Sequence, residues 1–314
     1  MLKVALVLPA YKAVQFLPRF FDAVDEQDRA FDDVIVIDSS PDTETETWLR
    51  LRGVPYVRLH ESAFDHGGTR NLGWHLAQDH GMDIVVFFSQ DAVLADSKSL
   101  SHLIGVLEEY PTVAAAYGRQ LPRPGASRSE KVGRAVRYPG SHQINTAGHP
   151  TNGTGQYFFS NAFGAYRVSA LAQIEGFPEP VLFGEDAAAS FALQRLGHAV
   201  HYVPEATVLH SHPASAVKDF KRHFDIGYVA SLASSPSTWA DASAGTAIVR
   251  REISASMAMF GILSLPSLAF IQTIRLLGYS SGRLSRFLPL PLACKLSSAP
   301  HVLRKIRRLE IGVS

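Results

Sequence analysis

The 314-residue sequence is 46% apolar and 19% charged and has a formal net charge of +1. This balance excludes a disordered chain and a polytopic membrane protein, and it supplies no global field to steer a polyanion, so no nucleic-acid partner is expected. The length suits one large α/β domain with a substantial core and a smaller unit at one end.

Residues 4–8 form an unbroken aliphatic run ending at Pro9, and residues 34–37 repeat that pattern before Asp38-Ser39-Ser40-Pro41. Each run predicts a buried parallel strand that stops at a loop. Between them, residues 14–26 carry Phe16, Leu17, Phe20, Phe21 and Val24 at helical spacing, which completes a strand–helix–strand unit. A short strand over 56–59, a helix over 69–80 and a fully apolar strand over 84–88 follow, the last stopping at Ser89-Gln90-Asp91-Ala92. Residues 121–156 are rich in Pro, Gly, Ser, Arg and His and show little periodicity, so they predict a long excursion over the substrate face. Regular structure resumes over 158–166, with helices over 169–174 and 184–196 and a strand over 198–203; the sheet domain is expected to close between 209 and 224.

Residues 249–277 then predict a helix interrupted by proline, followed by short helices broken at Gly282, Pro289, Pro291 and Pro300. The division expected is a catalytic domain over 1–225 and a helical, basic, membrane-proximal region over 226–314. Residues 253–274 are uncharged but contain Pro266, Gln272 and Thr273, which favours a helix lying in a membrane interface over one that spans. From Arg275 onward, eight basic residues face the single acid Glu310, a tail suited to an anionic inner-membrane surface. The lone cysteine, Cys294, leaves no internal disulfide, and the N-terminus lacks the zones of a signal peptide; both predict a cytoplasmic protein peripherally attached to the inner membrane.

Three acidic stations stand out: Asp38, Asp91 and the pair Glu185-Asp186, each just after a strand or at a helix start. Ligands of open α/β sheets bind beyond the carboxyl ends of strands, and Mg²⁺ or Mn²⁺ is held by one or two carboxylates plus substrate phosphates. Taken singly, each aspartate is equally well read as a turn former or helix cap. Gly67-Gly68 before a helix, with Arg70 close after, offers free amides and a guanidinium fork for a phosphate, although on its own such a glycine pair is better read as a loop-closing turn. No Gly-x-Gly-x-x-Gly follows the first strand, which argues against a dinucleotide-binding dehydrogenase.

Leu8-Pro9-Ala10-Tyr11, Ile37-Asp38-Ser39-Ser40, Ser89-Gln90-Asp91-Ala92 and Phe183-Gly184-Glu185-Asp186 together resemble the family 2 glycosyltransferases of the GT-A fold. That resemblance implies a mixed, mainly parallel sheet flanked by helices, with Pro9, Tyr11 and Asp38 holding the nucleoside. The family's Asp-x-Asp appears as Gln90-Asp91, so the resemblance implies metal binding by Asp91 alone from that motif, joined by His210 of Val208-Leu209-His210 or, second, by His212. It also implies that Asp186 is the base of an inverting transfer, with Glu185 ordering the site or contacting the acceptor. The run Phe64-Asp65-His66-Gly67-Gly68-Thr69-Arg70-Asn71-Leu72-Gly73 resembles the rhamnosyltransferase subgroup, as does Phe159-Ser160-Asn161-Ala162-Phe163-Gly164. This implies donor contacts from His66, Gly67, Gly68, Arg70, Gln90, Asp91, Ser160 and Asn161. The implied donor is dTDP-L-rhamnose, and the implied acceptor a polyprenyl-diphosphate-linked saccharide of an O-antigen or other surface polysaccharide. A different hexose donor and a non-catalytic nucleotide-sugar-binding protein are the alternatives.

Overall fold

The computed structural model describes residues 1–146, 157–211, 215–232 and 242–310. In chain order, the first elements are β1 (Val4–Ala10), α1 (Leu17–Asp25), β2 (Asp33–Asp38), α2 (Glu44–Arg52), β3 (Tyr56–Arg58), α3 (His66–Asp79) and β4 (Ile84–Phe88). Next come β5 (Val93–Leu94), α4 (Ser99–Glu109), β6 (Val113–Leu121), α5 (Arg128–Arg137), β7 (Gln143–Asn145), β8 (Phe163–Arg167), α6 (Val168–Gln173), α7 (Glu185–Arg195) and β9 (Ala199–Leu209). Five helices end the chain: α8 (Ala216–Leu232), α9 (Ala242–Phe260), α10 (Leu265–Arg283), α11 (Leu290–Leu296) and α12 (Pro300–Glu310).

The continuous apolar runs become strands buried on both faces, as a sheet covered by helices requires. Val4, Leu6 and Leu8 enter one core and Ala5 and Val7 the other; Ile84, Val86 and Phe88 are divided from Val85 and Phe87 in the same way. The sheet runs β3-β2-β1-β4-β8-β6-β9-β5, with β7 on β9. Strands β1 to β4, β6 and β9 share one direction, while β8, β5 and β7 run against it. The carboxyl ends of β1, β2, β4, β6 and β9 therefore lie at one edge, and the start of the reversed strand β8 lies there too. This is the mixed, mainly parallel sheet flanked by helices that the sequence led us to expect.

The chain forms two compact units. One comprises Met1–Arg123, Tyr138–Glu179 and Glu185–Ser211 and contains the sheet; the other comprises Pro124–Arg137, Pro180–Gly184 and His212–Ser314 and is helical. Helix α4, whose Leu100, Leu103, Ile104 and Leu107 are buried at helical spacing, and helix α2 occupy stretches to which the sequence reading gave no element. Helix α5 lies within the excursion read as irregular: it buries Val132 and Gly133 beneath a mostly polar surface. The rest of that excursion includes 147–156, outside the described residues.

In the helical unit, the interruption lies elsewhere than expected. The chain turns at Gly261, whose φ of 73° suits glycine, and Pro266 sits in the first turn of α10, where a missing N–H costs little. Gly282 is the last residue but one of α10, so the helix ends there as expected; an added Cβ would stand 2.0 Å from the Phe224 carbonyl oxygen of α8. A separate core of Phe224, Tyr228, Cys294, Leu303 and neighbours joins α8, α11 and α12.

Candidate active site

The loop after β1 is fixed by its neighbours. Gln90 clamps Tyr11 through both backbone groups: the Tyr11 N–H donates to Gln90 Oε1 at 2.7 Å, and Gln90 Nε2 donates to the Tyr11 carbonyl at 3.0 Å. Lys12 has φ 48°, rare for a side-chain-bearing residue, and its N–H donates to Ser40 Oγ at 2.8 Å. Pro9 is half-buried at the end of β1, in register with Ile37. Tyr11 is exposed, and its hydroxyl donates to Glu61 at 2.7 Å.

Asp38 ends β2, but it does not present an open carboxylate. It is fully buried: Oδ1 accepts from the N–H and hydroxyl of Ser40, while Oδ2 is ion-paired with Arg58 of β3. A buried carboxylate requires such partners. The half-exposed guanidinium of Arg58 is therefore the part of this pair that a ligand would meet.

Asp91 follows β4, and its Oδ1 lies 3.2 Å from His210 Nε2, at the end of β9. His210 Nδ1 lies 2.8 Å from Gln120 Oε1, and Gln120 Nε2 donates to Ser160 Oγ at 2.6 Å. The amide oxygen of Gln120 can only accept, so a neutral His210 carries its hydrogen on Nδ1 and turns the Nε2 lone pair toward the Asp91 carboxylate. Two electron-rich atoms facing each other suit a shared cation. Asp91 and His210 thus fit a divalent metal with mixed oxygen and nitrogen donors, and phosphate oxygens and water would complete the shell. No group of three or more metal-binding side chains occurs among the described residues, and His212 lies outside them.

The glycine pair at the start of α3 behaves differently from its sequence reading. Helix α3 begins at His66, not Thr69, because Asp65 caps it: Asp65 Oδ1 accepts from the N–H groups of Gly67 at 3.1 Å and Gly68 at 2.9 Å. Those amides, and the positive end of the helix, already have an anion. Gly68 instead provides room, since a Cβ there would meet Glu179 Oε2 at 2.6 Å. Arg70 also has protein partners: Nη1 lies 3.1 Å from Glu185 Oε1 and donates to the His66 carbonyl at 2.9 Å.

Gly184, with φ 83°, turns the chain into α7, whose first residues are Glu185 and Asp186. The Asn161 N–H donates to Asp186 Oδ2 at 3.3 Å, its side-chain amide faces Glu185 Oε1 at 3.5 Å, and its Oδ1 accepts from the Tyr166 hydroxyl at 2.9 Å. Asn161 is thus buried beside the acidic pair, with partners on both acids. Burial opposes ionisation of Glu185, but the charges of Arg70 and His66 bring it below the ordinary carboxylate value. Burial, followed by the adjacent Glu185 charge, pushes Asp186 up to about 7. The deeply buried Tyr166 hydroxyl is pushed well up by its burial and then by both acids, so it stays a hydrogen-bond donor.

The predicted site residues form one chain of neighbours along the carboxyl edge of the sheet. Asp38 reaches the β1 loop through Ser40, that loop is held by Gln90 beside Asp91, Asp91 meets His210, and Gln120 passes to Ser160. Asn161 then leads to Asp186, Glu185, Arg70 and His66. Sequence reasoning gave no site role to Arg58, Gln120, Tyr166 or the cap Asp65. Only Asp65 had a local signal, an aspartate directly before a helix start.

A family model described as glycosyl transferase family 2 matches residues 5–175. The O-antigen chain rhamnosyltransferase RfbN of Salmonella typhimurium is 34% identical over 228 residues, covering 72% of this chain and 72% of its own length. WbaN of Salmonella anatum, also an O-antigen chain rhamnosyltransferase, is 32% identical over 224 residues, 71% of this chain and 70% of its own. Among solved structures, the mannosyltransferase PcManGT from Pyrobaculum calidifontis, in complex with GDP-Man and Mn²⁺, superposes with a TM-score of 0.53 at 17% identity, covering 98% of this chain and 87% of that one. TarS 1–349 of S. aureus with UDP-GlcNAc gives 0.55 at 15% identity over 90% and 91%. At such identities these structures establish the GT-A-like fold alone.

Proposed function

This chain belongs to glycosyl transferase family 2 and is a glycosyltransferase; from that premise we propose that it moves L-rhamnose, with inversion, from dTDP-L-rhamnose onto a polyprenyl-diphosphate-linked saccharide of O-antigen type. The observation that supports the reading is that Asp38, Gln90-Asp91, His210, Ser160-Asn161 and the Glu185–Asp186 pair follow the strand ends at one sheet edge and are linked by hydrogen bonds, ion pairs and chain adjacency. Rhamnose and the O-antigen acceptor are supported by the names of the Salmonella relatives, whereas the dTDP and polyprenyl-diphosphate parts rest on the motif resemblance alone. The enzyme would work in the cytoplasm, against the inner membrane.

In this reading the β1 loop and the Asp38–Arg58 pair receive the nucleoside. Asp91 and His210 would hold Mg²⁺ or Mn²⁺, which when bound supplies positive charge opposite the leaving diphosphate. Asp186 takes the proton from the acceptor hydroxyl as that oxygen bonds to the anomeric carbon and the bond from that carbon to the diphosphate oxygen breaks. A base near 7 is matched to this task at neutral pH. Arg70 and Asn161 are positioning residues: they fix Glu185, whose charge keeps the Asp186 carboxylate basic. Incubating the full chain with labelled nucleotide sugars and a lipid-linked saccharide tests the assignment. Label from dTDP-L-rhamnose should enter the lipid-extractable product; transfer only from another sugar nucleotide would displace the donor, and no transfer from any would remove the reading.

A further inference from the structure

Helix α10 with its preceding turn, Ile262–Arg283, is long and apolar enough to cross a membrane by length and composition, yet only 17% of its most apolar window is buried. It has two contrasting faces. On one, Leu268, Gly278 and Gly282 are buried. A Cβ on Gly278 would lie 2.4 Å from the Phe220 carbonyl oxygen, and on the α8 side one on Gly227 would lie 2.1 Å from the Tyr279 oxygen. Backbone therefore meets backbone along the crossing, which fixes α10 against α8. On the other face, Phe270 and Leu277 of α10 are 58% and 53% exposed, and Leu263 in the turn before the helix and Leu284 just after it are 86% and 59% exposed. Seven residues fall only about 20° short of two whole turns of a straight helix, so Phe270 and Leu277 share one ridge, with the exposed Leu263 and Leu284 beyond its two ends.

We propose that this ridge is the docking face for an anionic lipid bilayer, with α10 lying in the plane of the interface and not crossing it; the inference rests on the membrane-side placement proposed above and adds the surface and its orientation. Two observations choose this occupant. First, exposed cations cluster where the helix ends: Arg286 stacks over exposed Phe287 with 4.7 Å to the ring centroid, and Arg283, also exposed, reaches the Ala230 carbonyl of α8 at 3.5 Å. Apolar side chains interleaved with exposed arginines match acyl chains beneath anionic headgroups, whereas a second copy of the chain would use only the apolar part. Second, α8 carries Lys218, Asp219, Lys221 and Arg222 in its first two turns, and Arg275 of α10 itself approaches Asp219. In hydrocarbon each such charge outweighs roughly five apolar side chains, so a helix locked to α8 is excluded from spanning.

Helix α12 is the strongest amphipath of the tail, but it is not the inserting element. Its apolar side, Val302, Leu303 and Ile306, is buried in the unit's own core, leaving Arg304, Lys305 and Arg308 exposed to act on headgroups by charge alone.

Flotation of the full chain with vesicles containing phosphatidylglycerol, compared with pure phosphatidylcholine, tests this. Wild type should float with the anionic vesicles and be released by an alkaline wash, and Phe270→Ser with Leu277→Ser should reduce binding at least tenfold. Arg283→Gln with Arg286→Gln should weaken binding to anionic vesicles alone. Circular dichroism and hydrolysis of a soluble nucleotide sugar, unchanged in the ridge variant, would separate a lost membrane face from a lost fold or a wrong catalytic reading. Unchanged flotation of the ridge variant would overturn the proposal. So would resistance of wild type to the alkaline wash, which marks a span, or a dimer in light scattering that the ridge variant dissolves, which marks a second copy as the occupant.

Discussion

Each unit of the molecule buries a glutamate against arginine, and only one of the two acids has a chemical neighbour. In the helical unit Glu252, 1% exposed, is held by Arg137 at 2.8 Å and Arg275 at 3.2 Å and also accepts from Gln272. In the sheet unit Glu185, 6% exposed, is held by Arg70 at 3.1 Å, and Asp186 stands beside it with its carboxyl pushed up to about 7. The ion pairing is the same in kind. What separates a structural cluster from a chemical one is the second carboxyl, which the first keeps from ionising easily.

Breaking the Arg70–Glu185 pair should produce the largest change in stability. Arg70→Met strands the buried Glu185 and should cost about 3–5 kcal/mol in denaturant unfolding, whereas Arg137→Met leaves Arg275 and Gln272 on Glu252 and should cost less. A small loss in Arg70→Met would show that Glu185 is not confined as described. The cation site should respond next. Asp91→Ala and His210→Ala should each weaken Mn²⁺-dependent thermal stabilisation by nucleotide sugar about tenfold or more, while Glu252→Gln leaves it alone. A Mn²⁺ response that survives both site variants would place the metal elsewhere.

The smallest effect is the most discriminating. Wild-type kcat/KM should rise with pH through about 7 as Asp186 ionises. Glu185→Gln removes the neighbouring charge that raises Asp186, so the acid limb should move to lower pH, by up to about one unit on the usual scale of such neighbours. Glu252→Gln should not move it. An unshifted limb in Glu185→Gln would mean that Asp186 is not the group being titrated.

Much of the sheet was legible in the sequence, because strands covered on both faces must be continuously apolar: 4–8, 34–37 and 84–88 all fold as read. Helix α4 was equally legible, yet its buried leucines at helical spacing drew no reading. The site was legible as a set of loop residues and not as a set of partners. The aspartate before the helix was a local signal for the cap that takes two amides, but nothing local to Arg70 reveals that a glutamate far along the chain pairs with its guanidinium. The same limit hid Arg58 behind Asp38 and Tyr166 behind Asn161. At Gly282 the end of the helix was legible, but not the close approach to α8, whose backbone lies 2.0 Å from the missing Cβ.

The central claim, that Asp186 is the base, is tested most directly by measuring donor binding, transfer and melting of Asp186→Asn side by side. A carboxyl whose folded value is raised stabilises the native state below about pH 4, and that contribution is lost as pH rises through about 7. At pH 8 the variant should therefore melt no lower than wild type. It should bind nucleotide sugar within a few-fold of wild type and transfer about 10²–10⁴-fold more slowly. Transfer at the wild-type rate, with the donor bound normally, would contradict the account.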